Sequence, residues 1–489
     1  MVIDKITIFY IQTKLNRQMK KLLLISLFIA NVLFTYRTDA QIRLPSIISD
    51  NMVLQQNSEA TLWGWSGASE RFVIISSWKE EVDTVQASNI GKWKAKIKTP
   101  SAGGPYTITL KGMNRFRPTP SIVLENIMIG EVWLLSGQSN MEMSNNQQIK
   151  DILPTSANSN IRFFTVDKKA SEYPQDHADG DWVSCDEETL KRFSAAGYFF
   201  GKKIHDELKV PIGLIQSAWS GTPIELWEPA SVIDSDPIMK KAASEIVVKT
   251  HRPHQPGYLY NAMIYPISNY TISGALWYQG ESNTPRAYAY EKMLNGMIGS
   301  WREAFQNDFP FYYVQIAPWK YDTSLYEGAL LQEAQSKSLS YPKTGMVVIT
   351  DLVDDVTNLH PQNKKDVGER LALLALAETY GKNIPVYKSP VLKNMEIDKG
   401  KASLYFSDAP NGFITKDGGK PTEFMIAGSN KKFLPADVQL KKDKIIVSNK
   451  NIKEPVAVRF SFSNIGISNV LSREGFPIVP FRTDTWEVD

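Results

Sequence analysis

The chain has a single cysteine, Cys185, among its 489 residues. One thiol cannot close an internal disulfide, so packing alone must hold the fold. Cys185 follows Asp181-Trp182-Val183-Ser184 with no second ligand at metal spacing, which makes it a structural thiol, and no metal is expected. A basic surplus is also missing. The formal charge is +3, but residues 1–40 hold six basic and two acidic side chains, and without them 49 basic residues face 50 acidic ones. Phosphate backbones are bound by clustered positive charge, so nucleic acid is not an expected partner. Histidine is scarce, with five in all, which shortens the search for a general base. Beyond Tyr36 no apolar run approaches the roughly 20 residues that span a bilayer. Internal repeats and low-complexity tracts are absent from the sequence.

What is present is a globular composition, 43% hydrophobic and 22% charged, in a chain too long for one ordinary core. Two to three domains are expected. The 12 Trp and 20 Tyr suit core packing and also sugar-contacting surfaces, so they discriminate nothing by themselves. Met19-Lys20-Lys21 makes a positive start, Leu22 to Tyr36 is apolar apart from Ser26, Asn31 and Thr35, and Thr38-Asp39-Ala40 ends on a small residue. That layout predicts a secretory signal peptide within residues 1–40, with Met19 a candidate start. The protein is then exported, periplasmic or secreted, with no membrane span after signal removal. A signal anchor is the alternative.

Residues 41–125 read as short strands separated by Gly67, Gly91 and Gly103-Gly104-Pro105, a small β-sandwich. From about Ile127 the texture changes. Met128–Leu135, Pro211–Ile215, Gly274–Tyr278, Phe311–Ile316 and Gly345–Thr350 are apolar strand-like runs. Helical spacing covers Leu190–Leu208, Arg286–Phe305 and Asp366–Tyr380. Strands alternating with helices predict an α/β domain over residues 126–384 with a mainly parallel sheet covered on both faces. Residues 385–489 turn β-like again, with turns at Asn411-Gly412 and Asp417-Gly418-Gly419, and predict a second β-domain.

Candidate chemistry sits where open α/β sheets place it, in turns directly after strands. Ser136-Gly137-Gln138-Ser139-Asn140-Met141 offers a serine on a glycine-permitted turn, although such turns also merely cap helices. A serine hydroxyl needs a base. His205 lies inside a predicted helix and His177 in a polar loop, while His251 and His254 flank Pro253 and have the option of lining a cleft. His360 precedes Pro361 and follows Asp351-Leu352-Val353-Asp354-Asp355, carboxylates suited to orienting an imidazole. Ser217 to Glu225 and Gln279-Gly280-Glu281-Ser282-Asn283 are two further strand-end turns able to aim an amide at an oxyanion.

Taken together, Ser136–Met141, Gly221-Thr222-Pro223-Ile224-Glu225-Leu226-Trp227, Trp277-Tyr278-Gln279-Gly280-Glu281-Ser282-Asn283 and His360-Pro361-Gln362-Asn363-Lys364 resemble the ordered blocks of the sialate O-acetylesterase group of SGNH (GDSL-like) hydrolases. Leu44-Pro45 to Gln55-Gln56 and Gly64-Trp65 resemble its N-terminal β-domain, so the likeness covers most of residues 42–380. It implies a three-layer SGNH-hydrolase domain flanked by β-sandwich-like domains, acting on an acetylated carbohydrate without metal or organic cofactor. Ser139 is then the nucleophile and His360 the base. The oxyanion is held by the backbone N–H of Ser139 and Gly221 with a side-chain amide, Gln279 or alternatively Asn283. One departure stands out. SGNH enzymes commonly carry the acid three residues before the histidine, where this chain has Thr357. Asp355 is the expected acid, with Asp354, Glu281 or a backbone carbonyl as alternatives. Sialic acid is the implied substrate, which would give Arg286, just past the third block, a carboxylate to bind unless it is simply a solvated surface residue. Acetylated polysaccharides such as xylan, or a sugar-binding protein without catalysis, are the competing readings. Oligomeric state is unread.

Overall fold

A computed structural model describes the chain except residues 1–3, 34–40, 114–119, 145, 322–324 and 489. The end of the predicted signal peptide, Thr38-Asp39-Ala40, lies outside the described residues. Of residues 1–40, Lys5–Leu33 form a helix. Among the described residues no helix is long and apolar enough to cross a membrane.

The molecule is a mixed α/β structure built on a large, mainly parallel sheet. In chain order its strands are β1 (Ile122–Gly137), β2 (Asn158–Thr165), β3 (Trp182–Cys185), β4 (Ile212–Ala218), β5 (Gly274–Tyr278), β6 (Phe311–Val314) and β7 (Thr344–Val347). They lie in the order β7-β6-β5-β1-β4-β2-β3, and only the β3 edge runs antiparallel. The connecting helices used below are α1 (Ser139–Glu142), α2 (Ala195–Leu208), α3 (Ala287–Phe305), α4 (Glu327–Lys337) and α5 (Lys364–Glu378). Central strands with both faces covered must be apolar throughout, and β4 and β5 are buried along their whole length. Alternate residues serve opposite faces. Trp133, Leu135, Leu214 and Leu276 join α2 and α5 in one core, while Leu134, Ile215, Ala275 and Trp277 join α3 and α4 in the other. After β1 the chain crosses to β2 and β4 on one side, then to β5 on the other. The C-terminal end of β1 is therefore the switch point at which such sheets carry their sites.

The N-terminal β region is continuous with this unit. The first half of β1 pairs antiparallel with Gly103–Gly112 and parallel with Val53–Gln55, and its second half pairs with β4 and β5. The change of texture predicted between residues 125 and 126 thus falls inside one strand, at Asn126, whose φ is +56°. Side chains of the N-terminal strands, Ile74 and Leu110 among them, also share the α3-side core. The C-terminal region is antiparallel and β-rich. It holds two four-stranded sheets around its own core of Leu404, Phe424, Ile426, Val447 and Phe460. Arg482 fixes it to α4 through a two-pronged ion pair with Glu333, at 2.9 and 3.2 Å.

Candidate active site

β1 ends at Gly137, wedged between its neighbours. In register, Gly137 stands beside Ala218 of β4 and Tyr278 of β5. Its φ is +138°, and a Cβ there would lie 2.2 Å from the Tyr278 carbonyl oxygen, so both backbone angle and space demand glycine. The chain then turns into the one-turn helix α1, which begins at Ser139. The N–H of a first helical residue has no partner inside its helix, which leaves that of Ser139 free of an intrahelical bond. Ser139 stays partly exposed while Gln138, Asn140 and Met141 are buried.

His360 arrives from the loop after β7, just before α5, whose N-cap Asn363 accepts the Asp366 N–H at 3.1 Å. Its Nε2 lies 2.8 Å from Ser139 Oγ. This is hydrogen-bond distance for transfer of the hydroxyl proton. The imidazole pKa is lowered from the usual histidine value, first by burial and then by the Lys364 ammonium. The ring is thereby kept neutral and able to accept a proton at mildly acidic pH.

The carboxylate expected to orient that ring is placed elsewhere. Asp355 Oδ1 accepts from the Thr357 N–H at 2.8 Å and the Thr357 hydroxyl at 2.7 Å. These bonds, the hydroxyl first, hold its carboxyl below the ordinary aspartate value. Asp355 and Asp354 are both exposed. The His360 N–H is taken by Asn358 Oδ1 at 3.0 Å, which shapes the loop without an acid. Among the described residues no carboxylate bonds to the imidazole.

Behind the pair lies a buried polar network that joins three of the four blocks. Asn140 donates from Nδ2 to Glu281 Oε1 at 2.5 Å and to the Leu359 carbonyl at 3.2 Å, and its Oδ1 accepts from Lys364 Nζ at 2.6 Å. Lys364 is fully buried, with Nζ 4.9 Å from the centre of the Tyr278 ring. Burial pulls its pKa down to about 7, against the attraction of Glu281. Burial likewise raises the pKa of Glu281, whose Oε2 has no partner. Asn140 and Lys364 had no assigned role in the sequence reading. One signal was available: a lysine opening a helix opposes the positive end of the helix dipole and so needs a local reason to be there.

The two candidate oxyanion amides are likewise committed. Gln279 Nε2 donates to Asn283 Oδ1 at 2.7 Å, Gln138 Oε1 at 3.1 Å and the Thr222 carbonyl at 3.3 Å, while its Oε1 accepts from Tyr290 at 2.9 Å. Asn283 bonds Glu225 and the Ile224 N–H. Both side chains are fully buried, so they brace the turns against one another. Gly221 belongs to the neighbouring turn, with φ +69°. That turn is tied to the nucleophile by the Trp219 N–H on the Gly137 carbonyl at 3.0 Å and by the Ser220 N–H on Glu142 of α1 at 2.7 Å. Arg286 neither faces solvent nor offers itself to a substrate. It is 5% exposed and spends its guanidinium on Glu225 at 3.0 Å and the Ser282 carbonyl.

Three of the remaining four histidines have local partners, and the fourth, His251, is exposed. His177 pairs with Asp179 and His205 with the Val210 carbonyl, while His254 lies beside the Gln255 amide. Cys185 is buried and donates to the Ser156 carbonyl, its thiol pushed up to about 12 by burial. No group of three or more His, Cys, Asp or Glu with metal-binding geometry occurs among the described residues.

A hydroxyl paired with an imidazole at the switch point of a mainly parallel sheet has the parts needed to start acyl transfer, and the chain is a carboxylic ester hydrolase. Residues 129–377 match the model of a family described as carbohydrate esterase, sialic acid-specific acetylesterase, and the chain belongs to that family. The human sialate O-acetylesterase is 29% identical to it over 81% of this chain and 82% of its own length. The mouse sialate O-acetylesterase is 27% identical over 86% of this chain and 89% of its own. A carbohydrate acetylesterase from Xanthomonas citri, known by crystal structure, is 34% identical, with a TM-score of 0.82 over 91% of this chain and all of its own.

Proposed function

We propose that the protein is an exported serine esterase that removes O-acetyl groups from sugars, with sialic acids as the preferred carriers. The 2.8 Å approach of Ser139 Oγ to His360 Nε2 is the observation that carries the mechanism. His360 takes the hydroxyl proton as Ser139 attacks the acetyl carbonyl. The resulting oxyanion is received by the N–H groups of Ser139 and Gly221, each such donor being worth about 3 kcal/mol of barrier. The imidazolium returns the proton to the departing sugar oxygen, and His360 then activates water to release acetate. Gln279 acts by positioning these turns rather than by touching the oxyanion. The orienting role assigned to an acid in related triads passes to the loop around Asn358 and to the Lys364 side of the site.

Export rests on the leader in residues 1–40, and the substrate class on family membership and on the names of the relatives. The same reading takes residues 126–384 as a three-layer SGNH-type unit between β-rich regions at 41–125 and 385–489. Acetate release from a panel of acetylated sialosides and acetylated xylans tests it. Faster release from the sialosides is expected. Release from xylan alone would make the protein a polysaccharide acetylesterase, and sugar binding without release would make it a lectin-like relative.

A further inference from the structure

We propose that Arg252 is the residue that recognises the carboxylate of an acidic sugar, and so sets the preference of the site for sialates over neutral acetylated sugars. The proposal rests on the sialate reading above. Arg252 is half-buried, and its guanidinium is seated directly on the Gly221 turn: Nη1 donates to the Gly221 carbonyl at 3.4 Å. A Cβ at position 221 would fall 1.6 Å from that nitrogen, so the guanidinium occupies the space that glycine leaves open there. The turn in turn borders the nucleophile, through Trp219 on Gly137 and Ser220 on Glu142. A cation thus rests on the turn that borders the nucleophile.

What distinguishes this arginine is its lack of a carboxylate. The other half-buried or buried arginines among the described residues are satisfied: Arg286 by Glu225, Arg302 by Asp308, Arg370 by Asp351, Arg459 by Asp484 and Arg482 by Glu333, while Arg162 is held by the Asn51 and Asn126 carbonyls. Arg252 has no acidic partner among the described residues. The acids on the turns around it are already engaged, Glu142 with Ser220 and Lys168, and Glu225 with Asn283 and Arg286. One long hydrogen bond to a carbonyl leaves most of the five guanidinium N–H groups unspent. A planar fork of that kind matches a carboxylate in two-pronged fashion, and a partly desolvated site strengthens the pair. A sialic acid supplies a carboxylate on the same small molecule as its acetyl ester, so one end binds Arg252 while the other meets Ser139.

The test compares an O-acetylated sialic acid with its C1 carboxamide, which keeps the shape and the acetyl ester and lacks the charge. The readout is the ratio of kcat/KM for the acid to that for the amide, in the wild type, Arg252→Ala and Arg252→Lys. The wild type should favour the acid, and Arg252→Ala should lower the ratio about tenfold to a hundredfold, mainly through KM. Arg252→Lys should restore part of it, since a point charge replaces a fork. A general structural defect would depress both substrates alike and leave the ratio standing, which overturns the proposal. A wild type that cleaves sialates with a ratio indifferent to residue 252 overturns the arginine's role alone. A wild type that cleaves neutral acetylated sugars and no sialate overturns this proposal together with the sialate reading.

Discussion

Replacing Glu228 by glutamine should stabilise the protein by an amount that grows with pH. Glu228 is fully buried and neither carboxyl oxygen has a hydrogen-bond partner. Its Oε2 lies 3.0 Å from where a Cβ of Gly296 would stand, with Val232 and Met239 side chains at the same spot, so the acid is in an apolar pocket against α3. Burial, helped by the nearby charge of Glu225, raises its pKa well above the ordinary 4.5. The folded state therefore keeps a proton that the unfolded chain gives up. Stability from this site is intact below pH 4.5 and is lost as pH rises toward the folded-state pKa. While the folded state keeps its proton the loss runs at no more than about 1.4 kcal/mol per pH unit. Glutamine has the same shape and no proton to lose, so any constant cost of the amide cancels between pH values. Urea unfolding of both proteins at pH 5, 6 and 7, followed by tryptophan fluorescence, measures the gap. The variant should gain on the wild type between pH 5 and 7, by no more than about 1.4 kcal/mol per pH unit. A gap that does not change with pH would refute the reasoning, because it would mean that Glu228 is ionised in the folded protein.

Two further outcomes follow from the site. Lys364→Met removes the cation that helps to depress His360, so the acid limb of kcat/KM should lie below the ordinary histidine value in the wild type and move upward in the variant; a limb that stays put or moves down would dissociate Lys364 from the imidazole. Asp355→Asn should lower kcat less than about threefold, because its carboxylate serves Thr357, and a loss on the scale of the roughly 10,000-fold seen when a triad acid is neutralised would reinstate it as the orienting group.

Much of this was legible in the sequence for one physical reason. Strands buried on both faces are continuous apolar runs, and the turns that follow them need glycine or short polar residues. Gly274–Tyr278 occurs as a strand and Ala287–Phe305 as a helix where the pattern puts them, and Ser139 and His360 meet as the block order implies. The strand Asn158–Thr165 and the edge strand Trp182–Cys185 escaped because β2 opens on polar residues and carries Arg162, whose carbonyl partners at Asn51 and Asn126 lie far off in sequence. The boundary near residue 125 looked sharp because Glu125 and Asn126 interrupt the apolar pattern, yet the strand bends there and continues. The polar network was invisible for the same reason as Arg162. Asn140, Glu281 and Lys364 belong to separate blocks, and nothing local distinguishes a glutamine that braces turns, such as Gln279, from one that faces an oxyanion.

The central claim is that Ser139 does the chemistry. The most direct measurement is kcat/KM of Ser139→Ala on p-nitrophenyl acetate against the wild type, with both proteins shown to be folded by their melting transitions. A loss of about 10,000-fold or more is predicted, since among the described residues no other hydroxyl is placed on the His360 ring. Undiminished hydrolysis by the alanine variant would contradict the account.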